Sequence, residues 1–226
     1  MSRPELRAVE DPAAEVAALL AEAAADSGHL VLTGGSTPRR AYEQAAGADW
    51  SRATVWFSDE RCVPPDHPDS NYGMAEAALL SRTSVRPEVV RMQGELGADA
   101  GAGAYEAEVR SRLGDEPRWD LVLLGMGPDG HVASLFPGKP EAQETSRLVV
   151  GVPQAGMEPQ VPRISLTMPA LDSGRSVVLL ITGAEKAATV ARAFGPSPDE
   201  SLPVTRVRPR YGSLTVILDE AAAGEL

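Results

Sequence analysis

Two periodicities alternate along this chain and predict its secondary structure. Continuous apolar runs predict buried strands, and the clearest of them covers residues 119–124. Further runs lie at residues 29–33, 54–58, 176–182 and 214–218, with weaker ones at 89–92, 148–152 and 164–167. Helical spacing of apolar side chains predicts helices over residues 12–25, 39–46, 98–113 and 184–194. Asp69 or Ser70 is placed to cap another helix that runs to about Leu80.

Strands that alternate with helices and read as continuous apolar runs are typical of a parallel sheet covered on both faces. We therefore predict an α/β fold, a doubly wound and mostly parallel Rossmann-like sheet with helices on both faces. No repeat, low-complexity tract or linker divides the sequence, so a single domain is expected over residues 1–226. Ligands of open α/β sheets bind beyond the carboxyl ends of the strands, where several glycine-rich turns fall here.

Composition narrows the class of protein. With 43% hydrophobic and 23% charged residues, the chain has the mix of a globular protein rather than a disordered one. Residues 1–9 lack the apolar stretch of a secretory signal, and no apolar run reaches the roughly 20 residues of a membrane helix. The single cysteine, Cys62, cannot form an internal disulfide. We expect a cytoplasmic protein that does not act on a membrane.

The formal net charge of −11 argues against nucleic acid as a partner, because nucleic-acid-binding proteins usually carry basic faces. It does not exclude an anionic small molecule, since a few cations in one cleft can outweigh distant surface charge. We expect a small-molecule ligand and a monomer or small homo-oligomer.

The first candidate for chemistry is the glycine turn after the strand at 29–33. Gly34 and Gly35 let the backbone approach a ligand, and Ser36 and Thr37 add hydroxyl groups. Ser36 or Thr37 can cap the next helix, whose positive dipole end favours phosphate. Taken alone, the segment is more often an ordinary turn.

Two charged segments follow later strands. Asp59 and Arg61 come directly after the strand at 54–58, although most loop charges are simply solvated. His131 lies in a glycine-rich strand end two residues after Asp129, which can orient or charge-stabilise its imidazole. Because the unperturbed pKa of histidine suits proton transfer near neutral pH, His131 is the strongest candidate for a catalytic base.

Two cations at strand ends are further candidates. Lys186, one of only two lysines, lies in the first turn of a helix, where a cation opposes the helix dipole unless an anion is bound. Arg163 precedes the strand at 164–167 and is equally well explained as a surface arginine. No metal-binding pattern occurs, so we expect no metal site, and the nucleophile elbow of a serine hydrolase is absent as well.

The order of these segments resembles the 6-phosphogluconolactonase family over essentially the whole chain. The resemblance is carried by residues 33–38, 56–61, 69–72, 125–138, 163–167 and 183–186. Each segment is weak by itself, whereas all of them in sequence order are specific.

That resemblance implies hydrolysis of a phosphorylated sugar lactone without a cofactor. His131 is implied as the general base for water, with Asp129 orienting it. Arg61 would stabilise the oxyanion or bind sugar hydroxyls, and the sequence does not choose between these roles. The substrate phosphate would meet Gly34, Gly35, Ser36 and Thr37, with Lys186 and Arg163, while Asp59 would line the same cleft.

Two other functions compete with the lactonase. The related glucosamine-6-phosphate deaminases carry Tyr at the position of Arg61 and a Phe-Asn-Glu-Pro stretch where this chain has Ser134-Leu135-Phe136-Pro137. The missing Glu weakens that alternative. A non-catalytic sugar-phosphate sensor would usually carry a DNA-binding helix-turn-helix, and the residues before His29 leave room for only one helix.

Overall fold

A seven-stranded parallel sheet forms the centre of the computed structural model, which describes residues 4–226. Its strands are β1 (Glu5–Ala8), β2 (His29–Leu32), β3 (Thr54–Phe57), β5 (Glu88–Val89), β6 (Trp119–Gly125), β9 (Gly174–Ile181) and β10 (Ser213–Leu218). Their order across the sheet is β1-β10-β9-β6-β2-β3-β5, and every neighbouring pair is parallel. The predicted doubly wound α/β fold is confirmed.

A second, smaller sheet joins β4 (Asp59–Arg61), β7 (Val149–Val152) and β8 (Arg163–Leu166). It has the order β4-β8-β7, and both pairs are antiparallel. The sequence predicted β7 and β8 but not β4, because three charged residues carry no apolar signal. This small sheet brings Arg61 opposite Arg163.

Residues 4–226 form six α-helices. They are α1 (Pro12–Ala25), α2 (Ser36–Ala45), α3 (Asn71–Ala75), α4 (Ala98–Leu113), α5 (Met168–Leu171) and α6 (Ala187–Phe194). Short 3₁₀ turns lie at Gly94–Leu96, Pro140–Gln143, Ala184–Lys186 and Pro203–Arg206, and a π-helical turn at Glu76–Leu80 extends α3. No helix within residues 4–226 is long and apolar enough to cross a membrane.

Local chemistry explains where helices begin. The Asp11 carboxylate accepts from the Ala14 amide at 3.2 Å and caps α1. The Ser70 hydroxyl caps α3 by accepting from Gly73. The expectation that Ser36 or Thr37 caps the second helix is wrong, because α2 already begins at Ser36, directly after Gly35, and no side chain caps it.

Aromatic rings fill the core beneath the strands that carry the candidate site. Trp56 and Trp119 meet edge to face, with ring centroids 5.3 Å apart, and Tyr105 packs against Trp56. The indole N–H of Trp119 donates to the Ala170 carbonyl at 2.8 Å. The polar atoms of these three rings are hydrogen-bonded, so the rings bury large apolar surfaces without leaving a polar group unpaired.

Candidate active site

The glycine-rich segments of the sequence come together because their strands are neighbours. β9, β6 and β2 lie side by side and point the same way, so the loops that follow them leave the same edge of the sheet. β3 lies beside β2 and runs directly into β4. The expected ligand position at the carboxyl edge is therefore framed by four segments.

The glycine turn after β2 is shaped by a close approach and by its backbone. A Cβ atom at Gly34 would lie 1.9 Å from Oδ1 of Asn71, so no other residue fits there. Gly35 has φ +115°, a backbone conformation that residues with a side chain rarely adopt. Its carbonyl accepts a hydrogen bond from the Arg39 amide in the first turn of α2. Ser36 is exposed, and the amides at the start of α2 have no side-chain cap, so this turn can receive an anion.

Thr37 and Lys186 tie this turn to the neighbouring strands. The Thr37 and Thr182 hydroxyl groups lie 2.9 Å apart, which joins α2 to the end of β9. The Lys186 ammonium donates to the Met126 carbonyl at 3.0 Å, across to the end of β6. Burial lowers the pKa of Lys186, and the charges of Glu185 and Asp129 partly oppose that shift. Lys186 is therefore half-buried and lies beside the end of β6.

His131 and Asp129 form a hydrogen-bonded pair after β6. Nδ1 of the imidazole lies 2.6 Å from Oδ1 of Asp129, and the same oxygen accepts from the His131 amide at 3.2 Å. The His131 ring packs on Phe136 with centroids 4.6 Å apart. A Cβ at Gly127 would lie 2.0 Å from the imidazole, so glycine is required for this arrangement.

Asp129 is well placed to fix the orientation of the imidazole. Burial would raise the pKa of Asp129, but the hydrogen bonds and charge of His131 outweigh it and lower that pKa. Asp129 is therefore ionised at neutral pH. No residue in the described part of the chain hydrogen-bonds to Nε2 of His131, which leaves that nitrogen for a ligand or water.

Arg61 and Arg163 lie directly opposite each other on β4 and β8. Like charges in this position normally destabilise a sheet. Within residues 4–226 neither guanidinium has a carboxylate at salt-bridge distance, and Nε of each is buried without a partner. Their remaining bonds go to backbone carbonyls, from Arg61 to Asp69 at 2.6 Å and from Arg163 to Met157 at 3.0 Å. Arg163 is buried and Arg61 is half-buried, and each keeps an unpaired N–H, so the pair favours an anion at this position.

Asp59 is enclosed rather than open to the cleft. Its side chain is buried, and its carboxylate accepts from three groups: Ser134 Oγ at 2.7 Å, Ser58 Oγ at 3.0 Å and Asn71 Nδ2 at 3.2 Å. The Ser134 amide in turn donates to Ser165 Oγ at 3.1 Å. Asp59 therefore connects β4, the start of α3 and the loop after β6.

Comparison with known proteins places these features in a family. Residues 5–216 match the family model for glucosamine-6-phosphate isomerases/6-phosphogluconolactonase. The chain belongs to this family. The resemblance found in the sequence is thereby confirmed.

Individual family members agree over most of the chain. A 6-phosphogluconolactonase of Streptomyces coelicolor is 39% identical over 223 residues, which covers 91% of this chain and 85% of that protein. The structure of the 6-phosphogluconolactonase from Trypanosoma cruzi matches with a TM-score of 0.85 at 30% identity, covering 100% of this chain and 98% of the other. A monomeric glucosamine-6-phosphate deaminase matches with a TM-score of 0.83 at 21% identity over the full length of both chains, and it shares the fold alone.

Glu60 belongs to the charged segment after β3, but the sequence analysis assigned it no role in the site. Its buried carboxylate accepts from the amides of Arg61, Asn71 and Tyr72 at 2.7–2.8 Å and from the Ser70 hydroxyl at 3.0 Å. Burial raises the pKa of Glu60, and these four donors oppose the shift. Glu60 holds β4 against the start of α3.

Other members of the network were also missed as functional residues. Asn71, Ser134 and Thr182 occur in recognisable segments, but nothing in their spacing shows which carboxylate or hydroxyl they meet. All ten sequence-predicted site residues lie on segments at or next to the carboxyl edge. No cluster of His, Cys, Asp and Glu suited to a metal ion is found in the described residues.

Proposed function

We propose that this chain hydrolyses 6-phospho-D-glucono-1,5-lactone to 6-phospho-D-gluconate in the cytoplasm. The observation that carries the proposal is the His131–Asp129 pair, in which Nδ1 is fixed at 2.6 Å and Nε2 stays available. The 6-phosphogluconolactonases that match over most of the chain support the same substrate.

His131 acts as the general base. Nε2 takes a proton from a water molecule as the water oxygen attacks C1 of the lactone, which gives a tetrahedral intermediate. The C1–ring oxygen bond then breaks, and the imidazolium returns the proton to the departing ring oxygen. Asp129 keeps Nδ1 protonated and stabilises the imidazolium, as in hydrolases that pair a base with a carboxylate.

The arginine pair stabilises negative charge at the reacting end. Arg61 and Arg163 face each other without carboxylate partners among the described residues, and each has a spare buried N–H. Fixed donors in a water-poor site stabilise a developing oxyanion more strongly than water does. Either guanidinium can also bind a sugar hydroxyl.

The phosphate group of the substrate binds at the glycine turn after β2. The amides of Gly35, Ser36 and Thr37 at the start of α2 and the Lys186 ammonium provide donors and positive charge on one side of the cleft. A lactone without phosphate lacks these contacts, so we expect weaker binding of unphosphorylated lactones.

The decisive experiment measures the hydrolysis rate of freshly prepared 6-phosphoglucono-1,5-lactone in the presence of the purified protein. The rate is compared with that of a buffer blank, because the lactone also hydrolyses unaided. Glucosamine 6-phosphate is assayed in parallel for ammonia. We expect rapid lactone loss and no ammonia. Ammonia release would favour the deaminase. If neither reaction occurs but the protein still binds phosphosugars, the sensor would be favoured.

The His131→Asn variant tests the general base directly. Loss of the base should lower kcat by about 10²- to 10⁴-fold, while calorimetry should still detect binding of 6-phosphogluconate. His67→Asn is the matched control, since the His67 side chain is 43% exposed and contacts Asp69 rather than the catalytic pair. If the His131 variant keeps its rate, or loses binding as well, the assigned role is wrong.

A further inference from the structure

A second cavity of about 940 Å³ lies outside the candidate active site. It opens near the amino end of β10 and is lined by β1, the end of α6 and residues 205–214, none of which belongs to that site. Catalytic and phosphate-binding candidates lie at the opposite, carboxyl edge of the same sheet. The cavity is therefore independent of the proposed lactone site.

Exposed apolar surface concentrates at this cavity. Five large apolar side chains are exposed in residues 4–226, and three of them, Leu6, Tyr211 and Leu226, line it. Four prolines add flat apolar surface: Pro4, Pro196, Pro198 and Pro209. Apolar walls and this volume are typical of small-molecule sites, which range from about 300 to 1,000 Å³.

A polar group in the wall lacks a partner. The Thr205 side chain is buried, and its hydroxyl forms no hydrogen bond with any residue from 4 to 226. An unpaired buried hydroxyl costs about 1–3 kcal/mol. Since Thr205 lines the cavity, a ligand oxygen or nitrogen there would supply the missing bond.

Positive charge gathers at the same place in a chain of net charge −11. Arg208 and Arg210 line the cavity; Arg208 is paired with Glu200, whereas no described carboxylate pairs with Arg210. The Arg118 guanidinium lies 3.8 Å from the Tyr211 ring centroid. The carboxylate of the nearby Asp172 accepts a hydrogen bond from the Arg208 amide.

We propose that this cavity binds a nucleotide-class ligand, a flat heteroaromatic ring with a phosphate end. Tyr211, backed by Arg118, and the proline surface receive the ring, because rings stack on aromatic faces and guanidinium planes. Arg210 binds the phosphate, and the Thr205 hydroxyl bonds to a polar atom of the ring or sugar. Inorganic phosphate alone would miss the apolar contacts, and a neutral nucleoside would miss the arginine.

The test uses ATP as the probe in titration calorimetry, with adenosine and inorganic triphosphate as partial probes. We expect ATP to bind at least tenfold more tightly than either partial probe. Arg210→Ala should weaken ATP binding about tenfold, and Thr205→Val several-fold, while Thr205→Ser retains it. Arg147→Ala, an exposed arginine paired with Glu144, is the control and should change nothing.

Binding at the two sites is distinguished by Lys186→Ala. ATP binding that survives this variant but weakens in Arg210→Ala supports the cavity. The proposal is overturned if ATP does not bind at about 5 mM, if triphosphate binds as tightly as ATP, or if only Lys186→Ala abolishes binding. Lactone hydrolysis is assayed on the same preparations, so failure of the proposed lactonase function is seen separately.

Discussion

Asp129 and Asp59 lie on the same edge of the sheet but in contrasting surroundings. The Asp129 side chain is 38% exposed and binds one side chain, His131. Asp59 is 4% exposed and accepts from three side chains on three segments. The same residue type therefore serves two purposes: one carboxylate controls a proton on its neighbour, and the other holds loops in register.

A third aspartate shows how strongly the pKa of a carboxyl group depends on the groups that donate hydrogen bonds to it. Asp172 is partly buried like Asp129, but it has no cationic side chain at salt-bridge distance in the described structure. Burial raises the pKa of Asp172 to about 6, although the Arg208 amide and nearby arginines oppose the shift. The pKa of Asp129 moves the other way because His131 bonds to its ionised form.

Of the three aspartates, Asp129 should have the largest effect on activity when it is replaced by Asn. The amide removes the negative charge that orients and stabilises the imidazolium, so kcat should fall by up to about 10⁴-fold. Because the side chain is half-exposed and bonds to one neighbour, the melting temperature should change little. Steady-state kinetics and thermal melts of the same preparation check both statements; a large loss of stability without loss of kcat would contradict them.

Asp59→Asn should instead act mainly on stability. An amide NH₂ would face the Ser134 hydroxyl or the Asn71 amide, at a cost of about 2 kcal/mol, which corresponds to a decrease in melting temperature of roughly 4–8 °C. We expect kcat to fall no more than about tenfold, with an unchanged pH profile, since Asp59 acts through the loops it positions.

Ser134→Ala is the matched control for Asp59, because it removes one of the three donors and leaves the charge. Its loss of stability should be about half as large. If Asp59→Asn leaves the melting temperature unchanged but reduces kcat as much as Asp129→Asn, then Asp59 touches the substrate and the contrast is wrong.

Of the three aspartates, Asp172 should have the smallest effect when it is replaced by Asn, and that effect should depend on pH. The pKa of Asp172 is higher in the folded protein than its ordinary value of 3.8, so protonation favours the folded state. This contribution is present below about pH 4 and is lost as the pH rises through about 6. Asparagine still accepts from Arg208, so the variant should be more stable than the parent above pH 6, by on the order of 1–2 kcal/mol.

Urea unfolding at pH 4 and pH 7.5 measures this difference. The two proteins should converge at the lower pH, where Asp172 is protonated, and separate at the higher one. Parallel stability curves over the whole range would show that the carboxyl group is not perturbed by burial.

The sequence predicted the fold well where the signal was periodic. The buried strands Trp119–Gly125 and Gly174–Ile181 and the helix Pro12–Ala25 fall where apolar spacing placed them, within one or two residues. β1 and β4 were missed, because Glu5–Ala8 and Asp59–Arg61 are short and largely polar. Their pairing partners, rather than their composition, make them strands.

The site was predictable in its members but not in its connections. The sequence placed His131 beside Asp129 because they are two positions apart, and the structure joins them. Nothing local shows that Ser134 would meet a carboxylate 75 positions earlier, or that Arg61 and Arg163 would face each other. Such contacts depend on which strands become neighbours, and spacing along the chain carries no information about that.

The close approach of Gly34 to Asn71 has a consequence for how the sequence can evolve. A single methyl group there would lie 1.9 Å from the Asn71 amide oxygen, and that amide also bonds to the backbone and carboxylate of Asp59. Position 34 cannot change alone: a lineage that acquires alanine at 34 must also change residue 71, and then replace the donor that Asp59 has lost. Among descendants of this chain, a side chain at position 34 should therefore occur only where residue 71 has changed as well.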